Sequence, residues 1–224
     1  MTRFTPSSPP HRRGFLRIPR SLFLVVLLAG TALGPALGQS GQGTAPAAPV
    51  QVTDPHTLSR GGKAWLRMSD FPATDALGAD LGHKQFSMVQ SNPAGTHAVV
   101  VGTGENHQWL AVVELATGRI IDTRRLTEAG VSSVLWDPRG TTAAVSVVFG
   151  SGREGIVLLG VDGGFTNVGA ADPAHRMDFV KNPRWSADGA RLRATGRFVD
   201  DPTAGEVEFE RASRKLHRAS PASK

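Results

Sequence analysis

The sequence predicts an all-β fold, a stack of short antiparallel sheets joined by tight turns, with irregular segments at both ends. Three observations carry this. A glycine turn precedes a run of small and β-branched residues three times: Ser91-Asn92-Pro93-Ala94-Gly95 before 96–101, Trp136-Asp137-Pro138-Arg139-Gly140 before 141–149, and Trp185-Ser186-Ala187-Asp188-Gly189 before 190–198. The turn glycines lie 45 and then 49 residues apart, a period that marks propeller blades when strands flank each turn. The middle runs Ala98-Val99-Val100-Val101 and Ile156-Val157-Leu158-Leu159 are apolar on both faces, as in strands covered by a sheet on either side. Together they predict a propeller-like array of about three antiparallel four-stranded blades. A closed ring takes typically four or more blades, so the array is expected to be incomplete or open.

The first 38 residues read as a secretory leader. Arg12, Arg13, Arg17 and Arg20 precede the apolar run Leu22-Phe23-Leu24-Val25-Val26-Leu27-Leu28, and a small-residue segment ends in Ala36-Leu37-Gly38. These are the three regions of a signal peptide, with cleavage after Gly38. An uncleaved anchor through 22–37 is the alternative, although the run is short for a membrane span. Arg12-Arg13-Gly14-Phe15-Leu16-Arg17 resembles the twin-arginine export signal, with His11 where Ser or Thr usually stands. That resemblance implies export of a folded chain; a general secretory leader fits the same residues. Residues 39–63, rich in Gly, Gln, Ser, Ala and Pro, are expected to be a flexible linker.

The formal charge of +6 suggests an anionic partner, but five of the basic residues are arginines of the leader. Without it, 20 basic and 19 acidic side chains remain, and a near-neutral chain lacks the field that attracts nucleic acid. With no cysteine, disulfides, thiolate chemistry and lipidated cysteines are excluded.

In the first blade the strands are expected at 84–90, 96–102, 108–115 and 119–126. The second places them at 131–136, 141–149, 155–161 and 165–168. In the third, strands are expected near 183–185, then at 190–198 and 205–211. Ala116-Thr117-Gly118, Asp162-Gly163-Gly164 and Ala187-Asp188-Gly189 are hairpin signals between them. Trp65-Leu66-Arg67-Met68 is a further candidate strand. The third blade alternates cleanly, with Arg191, Arg193 and Arg197 on one face and Leu192, Ala194 and Phe198 on the other; Glu206, Glu208 and Glu210 answer from the next strand. Pairing Arg197 with Glu206 and Arg193 with Glu210 places the opposite charges on one face. Such a face reads as a polar terminal cap, or else as a charged interface. The tail 212–224 is basic, with Arg214, Lys215, Arg218 and Lys224, and is expected to be disordered; contact with anionic lipid or envelope polymer is the alternative.

These turns and strands resemble the blades of WD-repeat and TolB-like β-propellers over roughly 84–211. Trp185-Ser186-Ala187-Asp188-Gly189 matches four of the five positions of the TolB-type aromatic-Ser-Pro-Asp-Gly turn, and Trp136-Asp137-Pro138-Arg139-Gly140 matches its aromatic residue, Pro and Gly. Ser91 departs from the aromatic position in the first copy. The resemblance implies a fold and is nearly silent on activity.

With the four strands of a blade called A to D in chain order, the A–B and C–D turns lie at one end and the longer B–C and D–A loops at the other. The longer-loop face therefore carries the candidate binding residues Glu105, Asn106, His107, Arg153, Glu154, Asp172, His175, Asp200 and Asp201, with Asp178 near them. No pair has the spacing of a metal motif such as His-Glu-x-x-His. Gly150-Ser151-Gly152 lacks the Lys-Ser/Thr of a phosphate loop, and no Gly-x-Ser-x-Gly elbow is present. No catalytic residue, metal site or cofactor is assigned. Trp136 and Trp185 recur at one repeat position and are expected in packing; Trp109 is a candidate surface anchor or a core residue. The function expected is that of an exported, non-enzymatic binding or assembly module of the cell envelope. Its partner would be a protein or envelope component, with no nucleic acid, membrane contact only through the N-terminal segment, and self-association open. A metal-dependent enzyme using Glu105, His107, Asp172 and His175, and a membrane-tethered structural protein, are the alternatives.

Overall fold

A computed structural model describes residues 48–201 and 203–219. The leader, the first part of the predicted linker and the end of the basic tail lie outside them. Among the described residues the chain runs through four antiparallel sheets, each a simple meander. The first sheet holds β1 (Val50–Asp54), β2 (Thr57–Arg60) and β3 (Lys63–Arg67). The first blade holds β4 (Gln85–Ser91), β5 (His97–Thr103), β6 (His107–Glu114) and β7 (Ile120–Thr127). The second holds β8 (Ala129–Trp136), β9 (Thr142–Phe149), β10 (Glu154–Gly160) and β11 (Phe165–Asn167). The third holds β12 (Met177–Trp185), β13 (Arg191–Phe198), β14 (Gly205–Glu210) and β15 (Lys215–Arg218). These are propeller-type blades in an array that closes no sheet upon itself.

Three apolar layers hold the sheets together. Because successive side chains of a strand point to opposite faces, one run serves two layers. Ala98 and Val100 pack toward the first sheet with Leu58, Leu66, Phe71, Phe86 and Trp109. Val99 and Val101 pack toward the second blade with Ala143, Val145, Val147 and Val157. Ile156 and Leu158 then turn to the third blade and meet Leu192, Ala194, Val207, Phe209 and Leu216. The unbroken apolar runs in the sequence have this cause: their strands are covered on both sides.

Each A–B turn is built on one plan. Gly95, Gly140 and Gly189 have φ of 65°, 69° and 64°, a left-handed conformation that glycine adopts without a Cβ penalty. Three residues earlier a polar side chain closes the turn. Asn92 Oδ1 accepts from the amides of Thr96 and His97. Asp137 Oδ1 accepts from Thr141 and Thr142, and Ser186 Oγ accepts from Arg191.

The same turns tie neighbouring blades. The Trp136 indole Nε1 donates to Gln90 O of the preceding blade at 3.1 Å, and Trp185 Nε1 repeats this with Leu135 O at 3.0 Å. Asn92 Nδ2 donates to Gly140 O at 2.8 Å. Arg211 Nη1 reaches the fully buried Asp137 at 2.9 Å and Gly189 O at 3.0 Å. Ser91 occupies the tryptophan position of the first blade. The first sheet meets that blade through Pro55 O, which accepts from Phe86 N, and Arg60, which donates to Leu115 O. β1 packs against β4, the first strand of that blade.

The structure corrects several expectations. Residues 50–63, taken as linker, form β1 and β2 and begin β3. Leu58 is fully buried there, and its burial offsets the poor strand composition around it. The tail supplies β15, whose Leu216 is buried; this is the fourth strand missing from the sequence reading of the third blade. The further strand expected at Trp65-Leu66-Arg67-Met68 is present, as β3 of the first sheet. Of the two readings of Trp109, the core one holds: it is fully buried among Phe71, His83 and Phe86. In the third blade the strands pair Arg193 with Glu208, Arg191 with Glu210 and Thr195 with Glu206, two residues from the predicted register. A two-residue shift preserves the face, so Arg191, Arg193 and Glu208 still share the outer, solvent-facing side, paired at 3.0–3.2 Å.

Candidate binding cleft

The two irregularities of β12 shape the site. Met177 pairs with Phe198 and Phe179 with Arg197, leaving Asp178 as the extra residue of a β-bulge; a second shift lies between Lys181 and Arg184. A bulge turns a side chain out of the strand's ordinary alternation. Asp178 is thereby brought between two guanidinium groups. Arg197 of β13 forms a close ion pair with it, and Arg153, from the β9–β10 loop of the second blade, lies at 3.5 Å. The Arg197 hydrogen bond favours the charged carboxylate most; with Arg153 nearby, it holds the Asp178 carboxyl below its usual range against the opposing effect of burial.

Around this pair lies a cleft of about 340 Å³ lined by Ser151, Arg153, Glu154, Asp178, Phe179, Lys181 and Arg197. Lys181 Nζ pairs with Glu154 Oε2 at 3.0 Å. Two cations lie near the Phe179 ring, Arg197 5.4 Å and Lys181 5.8 Å from its centroid. The loop above is held by Gly152 at φ 78°, whose amide donates to Phe149 O at 2.8 Å. The arrangement offers guanidinium and ammonium donors beside an aromatic ring, which suits an anionic, partly apolar ligand.

Of the residues singled out in the sequence, Arg153 and Glu154 enter this cleft. Asp178 proves central to it, while Phe179, Lys181 and Arg197 were not among the candidates. Asp172 is buried and faces inward: it accepts from Ala174 N and Leu216 N, contacts His175 Nδ1 at 3.2 Å, and lies 3.6 Å from Lys215 Nζ. Burial opposes its charge, but the Leu216 amide, His175, the Ala174 amide and Lys215 outweigh it and bring the carboxyl down to about 2. Its visible task is to fasten the loop before β12 onto β15. His175, Asp200 and Asp201 line a separate hollow with Phe198 and Arg218, and Arg218 pairs with Asp201. Glu105 pairs with Lys84 at 3.5 Å and His107 Nε2 contacts Leu81 O at 2.9 Å; exposed Asn106 lies between them. Among the described residues no three His, Cys, Asp or Glu side chains converge as a metal site. Glu105 and His107 therefore do not join Asp172 and His175 in one centre.

No family model and no curated protein matches the chain. Solved structures do. The β-propeller domain of Cps50 (Swd1) from Myceliophteria thermophila is 14% identical with a TM-score of 0.43, over 79% of this chain and 56% of that one. Hydrazine synthase from Kuenenia stuttgartiensis is 12% identical with a TM-score of 0.40, over 78% and 67%. A protein assigned as TolB from Agrobacterium tumefaciens is 13% identical with a TM-score of 0.30, over 72% and 75%. The chain spans about half the length of the first of these. At such identities the likeness is one of fold.

Proposed function

We propose that the protein is an exported, non-enzymatic binding or assembly module of the cell envelope, and that it meets its partner through the longer-loop face. The observation that supports this is the cleft between the second and third blades. Its exposed charges and aromatic ring are held by a bulge and a loop on a rigid stack of sheets, which is how binding groups are commonly presented. Export rests on the leader of residues 1–38. Among the described residues no helix is long and apolar enough to cross a membrane.

Site-specific photo-crosslinking in cells that make the protein tests the contact face. A crosslinker at Ser151, beside the cleft, should give a discrete adduct; one at the exposed Arg139, on the tight-turn face, should not. Adducts at Arg139 alone would reject the assignment. N-terminal sequencing of the mature chain tests export, with Gln39 expected as the first residue. A chain retaining 22–37 would instead be membrane-tethered.

A further inference from the structure

We infer that the cleft takes an acidic peptide segment of a protein partner, one carboxylate held by Arg153 beside its contact with Asp178 and an apolar side chain laid against Phe179. This rests on the longer-loop face being the contact face. Lining the cleft are three cations, Arg153, Lys181 and Arg197, against two anions, Glu154 and Asp178, so an incoming single carboxylate balances the charge. The cations face solvent more than their central partner does: the Arg153 side chain is 66% exposed and the Asp178 side chain 23%.

Each guanidinium carries five N–H donors, and the two share one carboxylate here. The Arg153 contact, at 3.5 Å, is longer than the 2.7–2.9 Å typical of charge-assisted hydrogen bonds. Arg153 is thus free to grip a second carboxylate without releasing Asp178. A phosphate dianion fits less well, because it concentrates two charges where the lining has one positive charge to offset and has no apolar part to lay against Phe179. The Phe179 ring, near Arg197 and Lys181, supplies an apolar contact that a peptide can use. The uncharged loop residues Ser151 and Gly152 leave the approach open to a main chain.

Fluorescence anisotropy with the full chain and a fluorescein-labelled Glu-Glu-Phe-Glu-Glu peptide tests this. Binding is expected at low salt and should weaken as salt screens the charges. The paired change Arg153→Glu and Lys181→Glu should weaken it about tenfold or more. Arg184→Glu with Arg191→Glu, the same charge change on the outer face of the third blade, should leave it within about twofold. Arg153→Gln, which introduces no repulsion and lies on an exposed loop, should give an intermediate loss in a chain with an unaltered melting curve. Equal weakening by both charge-reversed pairs, or no binding, would overturn the inference. Inorganic phosphate displacing the peptide at equal concentration would overturn it too, in favour of a phosphate ligand. The Ser151 crosslink separates this from the broader proposal. An adduct that excess peptide does not suppress sinks the acidic ligand and leaves the contact face standing; absence of any adduct at Ser151 sinks the face itself.

Discussion

Arg211→Ala removes the side chain that ties the third blade to the second. Its Nη1 lies 2.9 Å from Asp137 Oδ2 and 3.0 Å from Gly189 O, and its Nη2 lies 2.5 Å from Thr142 Oγ1. The arginine side chain is 26% exposed and the aspartate not at all, so screening is weak. Asp137 keeps the Thr141 and Thr142 amides and the Thr141 hydroxyl, which limits the loss. Hydrogen bonds to charged groups contribute about 1.5–3 kcal/mol, and breaking a buried pair costs about 3–5 kcal/mol. With Asp137 still partly satisfied, about 2–3 kcal/mol is expected. For a chain of this length that lowers Tm by roughly 4–12 °C. Urea unfolding and thermal melts of the variant should show it, alongside Arg191→Ala. The latter removes an outer-face pair at 3.2 Å, and such exposed pairs contribute about 0–1 kcal/mol. Because stacked repeats hold together through neighbour contacts, the Arg211 variant should also unfold less cooperatively. A loss no larger than that of Arg191→Ala would refute the idea that Arg211 couples the blades.

Three further outcomes follow from the same geometry. Trp136→Phe and Trp185→Phe keep an aromatic ring but remove the indole donors to Gln90 O and Leu135 O; each should cost about 0.5–1.5 kcal/mol by denaturant melt. Gly140→Ala combines a φ of 69° with a Cβ only 2.9 Å from Asn92 Nδ2, whereas Gly152→Ala has a similar φ and open space. Both carry the left-handed penalty of about 1–2 kcal/mol, and Gly140→Ala should be the more damaging because Asn92 must also move. Asp172 has its carboxyl lowered from 3.8 to about 2, so its stabilising contacts are complete above pH 3.8 and are lost as pH falls toward 2. The difference in Tm between the native chain and Asp172→Asn should therefore shrink across that window, and a gap that is constant with pH would count against this role for Asp172.

The blades were legible because their rules are local. A left-handed turn needs glycine, and double burial leaves a run with no polar alternation; both can be read from a few adjacent residues. The first sheet was hidden because its strands are four or five residues long and lie in a stretch of Pro, Gly, Thr and Gln, where only the remote partners of Leu58 reveal burial. β15 was hidden in the same way, its one apolar anchor Leu216 standing between Lys215 and His217. The register of β13 on β14 needed the length of their connecting loop, which alternation alone does not fix. At the site, Arg153 and Glu154 were visible as loop residues. Asp178, Phe179, Lys181 and Arg197 acquire their role only through the bulge in β12 and the approach of the second blade. Asp172 looked like a free loop carboxylate because the amide that claims it, Leu216 N, lies 44 residues further along.

The tryptophan ties have a direction. In both, the carbonyl comes first in the chain and the indole follows, 46 and 50 residues later. At synthesis rates of about 5–20 residues per second, each indole emerges roughly 2–10 s after the carbonyl it will meet. Every new blade can thus dock onto one already made, and no finished blade has to wait with an indole lacking its acceptor. The two indole ties are thus compatible with assembly in the order of translation, like courses of brick laid on those below.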